Sequence, residues 1–497
     1  MIWTSKLGVV SFNVERGEAV ELEEIEFGYA DAYTEAIEDK RLLLEAFYDS
    51  TIADNIWNGK HFLVLGLKGA GKSAIACRLQ LEADDDPLKF VQILEMGQLS
   101  FQSFSKIRID SAEDKSRYPA TWKYMLYVHL LQQIMEDQSV SYADFPDFDR
   151  FVKSLREYGV LPADGLEKMV AKTKGKKFQI NLLNMVKYEY RREGDSTFVD
   201  LSDLIELLEN KLRNLSSNSE YRLIIDGLDD LLTDKQKQFE IIAALVHAVK
   251  YINEKLRETA LNAKVILLVR SDIYGVLPDS NLNKFQRDFG RKIEWYDEAS
   301  SMSESRLLKL INLRAELSCG ESVNVVHRWL PRAISGNYGV EKYLLELTRH
   351  RPRDIIQLFN ELKQQSTGGR LSEQQVLSAE KRYSRDYLLL EMQDEVRGLL
   401  SDELSRVAFD AVFSIRKAEF SLEEAYRAGE EFNLKPEDVI QILRQLFDCG
   451  TIGMKDLSGV GGHTTFKYRN PGAVFSTRGV QYILHRGIRQ AANIASV

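Results

Sequence analysis

The chain has 497 residues, 44% of them hydrophobic and 28% charged, with a formal net charge of -9. That length exceeds what a single hydrophobic core organises, so two or three domains are expected, and the composition excludes an intrinsically disordered chain. The acidic balance argues against the whole molecule binding polyanions, and the scattered Cys77, Cys319 and Cys449 exclude a disulfide framework or a CxxC metal knuckle.

In chain order, residues 1–60 read as a leader, helical around Ala32 to Tyr48 and broken at Asn58 and Gly59. The start of the sequence lacks a basic segment followed by a long apolar stretch. The runs HFLVLGL and VILLV are too short to cross a bilayer, so a cytoplasmic protein with no membrane partner is expected. Five apolar runs at 61–66, 89–96, 221–226, 264–270 and 292–296 predict the strands of a mainly parallel sheet, with helices on both faces. This core, residues 61–300, carries a helical insertion over about 98–220, read from the helical spacing of TWKYMLYVHLLQQIM and LSDLIELLENKL. Its lysine-rich stretch KTKGKKFQ, 172–179, reads as a solvated loop.

Residues 301–398 follow a helical pattern broken by Gly368 and Gly369 and predict a helical lid. From 399 to 497 three helices, a Gly-rich turn LSGVGGH, a β-like HTTFKYR and a helix at 479–492 predict a winged-helix domain with a two-stranded wing.

The chemistry concentrates in GLKGAGKS, which follows the strand HFLVL and opens the helix SAIACRLQL. Glycine lets backbone N–H groups curl around a phosphate, and a helix N-terminus adds partial positive charge. Gly66, Lys68, Gly69, Ala70, Gly71, Lys72, Ser73 and Ala74 are therefore the expected nucleotide-binding residues. Lys72 faces the β and γ phosphates, and the Ser73 hydroxyl serves as a ligand for Mg²⁺.

Asp226 ends the strand RLIID and is the expected metal carboxylate. Asp229, with Asp230 as the alternative, is the candidate for orienting and deprotonating the attacking water. Arg270, at the end of KVILLVRSD, is a candidate sensor of the γ phosphate. Arg287 and Arg291 precede the last core strand and are candidate fingers for a neighbouring subunit's nucleotide. In RHRPRD, Pro352 suits the first turn of a helix that points Arg351 or Arg353 at the nucleotide. ATP and Mg²⁺ are the expected cofactors, and the absence of an NKxD motif near the fourth strand favours ATP over GTP.

Together GLKGAGKS, LIIDGLDD, VILLVRSD and RPRD, followed by the C-terminal helices, resemble bacterial P-loop ATPases that lie between origin-recognition-type AAA+ proteins and STAND signalling ATPases. FGYADAYTEA, FKYRNP and ILHRGIRQA are similar to segments of a group often encoded with antiviral defence genes. The resemblance implies a P-loop core with an additional strand between the two Walker strands, Arg270 as the first sensor and Arg351 or Arg353 as the second. Two departures stand out: Gly227 occupies the place of a common catalytic glutamate, and 154 residues separate Lys72 from Asp226.

The functional expectation is an oligomeric ATP-hydrolysing switch or motor that licenses a separate effector protein, in antiviral defence on the resemblance. The alternative is an initiator or transposition regulator that grips DNA with the winged helix. Residues 401–497 carry 12 basic and 12 acidic residues, and the expected recognition helix PEDVIQILRQLFDC has Arg444 as its single basic residue. Nucleic acid binding is therefore weakly supported, through Lys467 and Arg469.

Overall fold

The computed structural model describes residues 20–96, 114–142, 145–157, 201–228, 235–279, 281–297, 304–334, 338–397, 399–457 and 463–494. The stretches 97–113 and 158–200, which hold much of the expected insertion and all of KTKGKKFQ, lie outside them, as do Asp229 and Asp230.

Five parallel strands form the core: β1 (Leu63–Gly66), β2 (Lys89–Glu95), β3 (Leu215–Asp226), β4 (Ala260–Arg270) and β5 (Gly290–Lys292). Their order is β2-β3-β4-β1-β5, with a two-residue strand, Ser141–Tyr142, antiparallel to β3. β4 is the additional strand: it separates β1, which leads into the phosphate loop, from β3, which ends at Asp226. β3 and β4 start several residues earlier than their apolar runs, because Ser216–Glu220 and Ala260–Asn262 extend the pairing despite their polarity. The last strand requires correction. It spans 290–292 rather than 292–296, since the register that pairs Leu63 with Gly290 stops at Leu65 and Lys292.

Alternation along each strand divides the core into two faces. Leu63, Leu65, Leu223, Ile225, Val265 and Leu267 join one cluster with helices α4 (Asp114–Glu136), α5 (Phe145–Glu157), α6 (Leu201–Arg213) and α7 (Lys235–Leu256). Val64, Ile224, Ile266 and Leu268 face α2 (Ser50–Asn58) and α3 (Lys72–Asp84). Lys264 Nζ closes the end of α2 by donating to the carbonyls of Ile56, Trp57 and Gly59 at 2.7, 2.9 and 2.6 Å. This fixes the chain's entry into β1.

The helices α10 (Arg306–Cys319), α11 (Val340–Leu347), α12 (Pro352–Gln364), α13 (Glu373–Arg382) and α14 (Leu389–Arg397) follow the expected lid pattern. Tyr383–Leu388 joins the last two as a π-helical turn. A two-stranded hairpin, Ala333–Ile334 with Tyr338–Gly339, interrupts the helices. The lid shares one buried cluster with the C-terminal domain and with Leu22, Ile25 and Phe27. The described part of the expected leader is thus split, Leu22, Ile25 and Phe27 packing on the lid and α1 (Ala32–Glu38) and α2 on the core.

The C-terminal domain has helices α15 (Asp402–Ser414), α16 (Leu422–Glu431) and α17 (Pro436–Asp448). Its antiparallel sheet has four strands rather than two: β6 (Glu419–Phe420), β7 (Ile452–Asp456), β8 (Thr464–Thr465) and β9 (Val480–Leu484). The helix expected at 479–492 is instead β9 followed by a 3₁₀ turn, Arg486–Ile488. Cross-strand pairing along β7 wins there, because VQYIL is β-branched and aromatic and all five of its residues find partners.

Candidate nucleotide site

The loop after β1 is shaped by backbone conformation. Gly69 and Gly71 hold φ of 76° and 98°, in the left-handed region that L side chains rarely adopt. A Cβ on Gly69 would come within 3.2 Å of the Arg353 Cβ, so a lid helix packs directly on the loop. Gly71 caps α3, whose first turn holds Lys72 and Ser73 and no carboxylate, leaving the positive end of the helix to a phosphate. Lys72 is buried, and its Nζ donates to the carbonyls of Gly66 and Leu67 at 3.2 Å each.

One cleft of about 410 Å³ gathers Lys68, Gly69, Gly71, Lys72, Ser73, Ala74, Asp226, Gly227 and Arg353. Its size suits a nucleotide. Ser73 and Asp226 supply hard oxygen donors of the kind Mg²⁺ takes, one from the α3 N-terminus and one from the tip of β3. The donor set fits the ion. Gly66 and Ala70 complete the loop, with Ala70 buried on its far side.

The arginines divide into three groups. Arg270 sits at the tip of β4 in register with Gly66, buried and paired with Asp272 at 2.5 and 3.1 Å. Burial alone would raise the Asp272 carboxyl, but Arg270 holds it below the usual carboxylate range. Arg351 caps α12 and donates to the Lys68 carbonyl at 3.0 Å and to Glu395 at 2.5 Å. Arg353 lies over Gly69 and meets Glu391 at 3.4 Å. The structure thus brings RPRD onto the phosphate loop.

Arg287 and Arg291 sit elsewhere in the same chain. Arg291 is level with Val64, and the preceding Phe289 carbonyl accepts from Phe62 N–H, at the end of β1 opposite the phosphate loop. Arg287 is exposed on α9, the helix Leu282–Phe289 that precedes β5, in which α8 (Ser271–Val276) is the helix following β4.

Several residues of the cleft escaped the sequence reading. Tyr33 donates its hydroxyl to Asp226 Oδ2 at 3.0 Å; burial and then that carboxylate push its ionisation far above the ordinary tyrosine value. Glu95, the register partner of Asp226, lines the same cleft. Glu35 and Arg314 form a buried bidentate pair at 2.7 and 2.9 Å, which ties the FGYADAYTEA segment to the lid. Glu391 and Glu395, one helical turn apart on α14, hold the lid's and loop's cations: Glu391 Oε2 also meets Lys68 at 3.4 Å. Lys467 and Arg469, candidates for nucleic acid contact, are half-buried at the junction of core, lid and C-terminal domain. Lys467 Nζ is bonded to the Ala473 carbonyl at 2.6 Å.

No helix among the described residues is long and apolar enough to cross a membrane. Residues 305–390 match the FunZ-associated C-terminal helical domain. A curated relative is an 80.3 kDa protein ascribed to transposon gamma-delta in Escherichia coli (strain K12), 23% identical over 345 residues, which are 66% of this chain and 46% of that protein. The match therefore spans about half of the relative's length. Among solved structures, the Aeropyrum pernix ORC1 protein in complex with DNA is 13% identical, with 92% of this chain and 95% of that chain covered at a TM-score of 0.39. The Aeropyrum pernix ORC2 protein, in ADPNP-ADP complexes, is 12% identical with 92% and 97% covered and a TM-score of 0.41. The Thermotoga maritima RuvB Holliday junction branch migration motor is 14% identical, with 64% and 84% covered and a TM-score of 0.26. Independently of these likenesses, the strand order, the loop after β1 and the helices that close over it give the chain an α/β P-loop fold with a helical lid.

Proposed function

We infer that the chain binds and hydrolyses ATP with Mg²⁺ and uses the nucleotide to set the position of its lid and C-terminal domain. The observation that supports this reading is the convergence of Lys72, Ser73 and Asp226 in one cleft, with α12 docked through Arg351 and Arg353 on the loop that separates them. A bound Mg²⁺ would neutralise phosphate charge, held by Ser73 and Asp226. Lys72 binds the terminal phosphates, Arg270 lies within the same strand-tip layer, and Asp229 or Asp230 orients water. On the motif resemblance, the state so set licenses a separate effector in antiviral defence, within a homo-oligomer.

Lys72→Ala removes a buried cation at the centre of the loop, so ATP binding and turnover should fall at least about a hundredfold. Equal rates in wild type and variant would end the assignment.

The transposon-derived relative motivates a second reading, in which the C-terminal domain handles DNA. Under it, duplex DNA binding falls steeply with salt and is lost in the Lys467→Glu, Arg469→Glu double variant. The inward placement of both side chains favours the first reading.

A further inference from the structure

A second cavity, of about 500 Å³, lies where core, lid and C-terminal domain meet. It shares no lining residue with the nucleotide cleft. The phosphate loop is the wall between them: Lys68, Gly69 and Gly71 face the cleft, whereas Leu67 and Ala70 face the junction cavity. Trp295, on the cavity side, donates its indole N–H to the Ala70 carbonyl at 2.9 Å.

The lining is that of a ligand site rather than of a packing defect. Defects left by imperfect packing are apolar, and this cavity presents aromatic faces and polar side chains together. Trp295, Tyr296 and Tyr468 supply the rings. Arg469 lies 5.7 to 5.9 Å from the Tyr296 and Tyr468 ring centres, its Nε is buried without a hydrogen-bond partner, and it forms no ion pair among the described residues. His350 is held at φ 52°, a left-handed conformation that costs a non-glycine residue energy and concentrates at functional sites. That conformation places its imidazole between Tyr296 and Tyr468, and neither ring nitrogen has a hydrogen-bond partner among the described residues. Gln286 and Gln445 add amides from opposite walls, one from the core and one from the C-terminal domain.

The charges that line the cavity are not balanced at its centre. Arg349 and Arg351 are neutralised by Asp354 and Glu395, and Asp272 by Arg270. Asp448 faces Lys467, and the exposed Lys292 and Glu294 offset each other on the rim. Arg469 remains, so the field favours an anion, and the rings favour a flat one.

We propose that the junction cavity is a second ligand site, for a nucleoside monophosphate, its base against the Tyr296, His350 and Tyr468 ring cluster and its phosphate on Arg469. Such a ligand touches the rear of the phosphate loop through Leu67 and Ala70 and bridges all three domains, which makes it a regulator of the ATP site rather than a substrate.

A monophosphate lacks the β and γ phosphates that Lys72 binds, which separates the two sites in one experiment. Equilibrium dialysis of the full chain with labelled adenosine, guanosine, cytidine and uridine 5′-monophosphates should give one bound molecule per chain for at least one base. Lys72→Ala should leave this binding unchanged while abolishing that of ATP. Arg469→Glu should weaken it by about tenfold to a hundredfold, the worth of one charge-assisted contact. His350→Gly relieves the left-handed strain and so spares the fold, yet should weaken monophosphate binding while leaving ATP binding at the phosphate loop intact. No monophosphate binding, or binding lost in Lys72→Ala and kept in both cavity variants, would overturn the second site and leave the phosphate-loop reading standing. Loss of ATP binding in none of the variants would instead overturn that reading alone.

Discussion

Tyr33 donates its hydroxyl to one oxygen of Asp226, the proposed metal carboxylate, in a cleft that Glu35, Glu95 and Glu391 also line. An orienting partner of a metal ligand typically affects metal affinity by about tenfold or more. Tyr33→Phe should therefore raise the Mg²⁺ concentration for half-maximal turnover by about tenfold, with ATP binding retained. An unchanged Mg²⁺ titration would show that Asp226 is oriented by other means. The shape of the loop after β1 was legible in the sequence because GLKGAGKS is contiguous and its Gly69 and Gly71 meet a backbone requirement, at φ 76° and 98°. Tyr33, Glu95 and Glu391 were not, since they reach the cleft from segments far apart in the chain and no spacing rule links them to GLKGAGKS.

At the scale of elements, α14 meets the loop after β1. Its Glu391 holds Lys68 of that loop and Arg353 of α12, which lies over Gly69, at 3.4 Å each, so under the proposed function it competes with a bound phosphate for both cations. Glu391→Gln should tighten ATP binding by about three- to tenfold, as expected for releasing partly exposed cations, and the gain should shrink at high salt. A weakened affinity would assign Glu391 to ligand contact instead. The helices were legible from their spacing, and Pro352 marked the start of α12 correctly. The final helix, expected at 479–492, was misread because VQYIL pairs with β7 along its whole length and the chain then turns at Arg486–Ile488. β5 was misplaced for a related reason: beyond Ile293, whose N–H still donates to the Leu65 carbonyl at 2.8 Å, the chain leaves the sheet, and Trp295 turns to the Ala70 carbonyl behind the loop.

The whole molecule is held together at a junction of buried titratable groups. Burial, then Arg469, pushes His350 down to about 3, and burial and Arg349 push His485 well below the ordinary 6.5. Burial would raise Glu395, but Arg349, Arg351 and Arg270 hold it down to about 2. All three folded values lie below the unfolded ones, so the stability they carry is present above about pH 6.5 and declines as pH falls. The histidines account for the loss that begins below 6.5, and Glu395 for the loss between its ordinary 4.5 and about 2. The thermal midpoint should drop by several degrees between pH 7 and 5, and His350→Gln should flatten that slope. A midpoint independent of pH over this range would show that the junction histidines do not remain neutral on folding. Assembly supplies the other prediction at this scale. Arg287 and Arg291 lie outside the cleft around their own chain's loop, so a finger role would be played in trans, where it is worth about 10³ to 10⁵ in rate. Turnover per subunit should rise with protein concentration, and an Arg287→Ala or Arg291→Ala chain should regain activity when mixed with Lys72→Ala. Constant specific activity without rescue would leave both arginines as surface residues.

The contacts of the phosphate loop also bear on how the protein is made. Arg351 reaches the Lys68 carbonyl across 283 positions of sequence, and Asn360 reaches the Gly28 carbonyl across 332. At about 5 to 20 residues per second, roughly 15 s to a minute of synthesis separates the emergence of the loop from that of the helix that seats it. During that interval the nascent core has a phosphate loop with no lid, and Leu22, Ile25 and Phe27 lack the hydrophobic partners they pack against in the finished molecule. A nascent chain therefore carries the loop well before the helix that seats it, and Leu22, Ile25 and Phe27 find their packing partners only after the lid has been made.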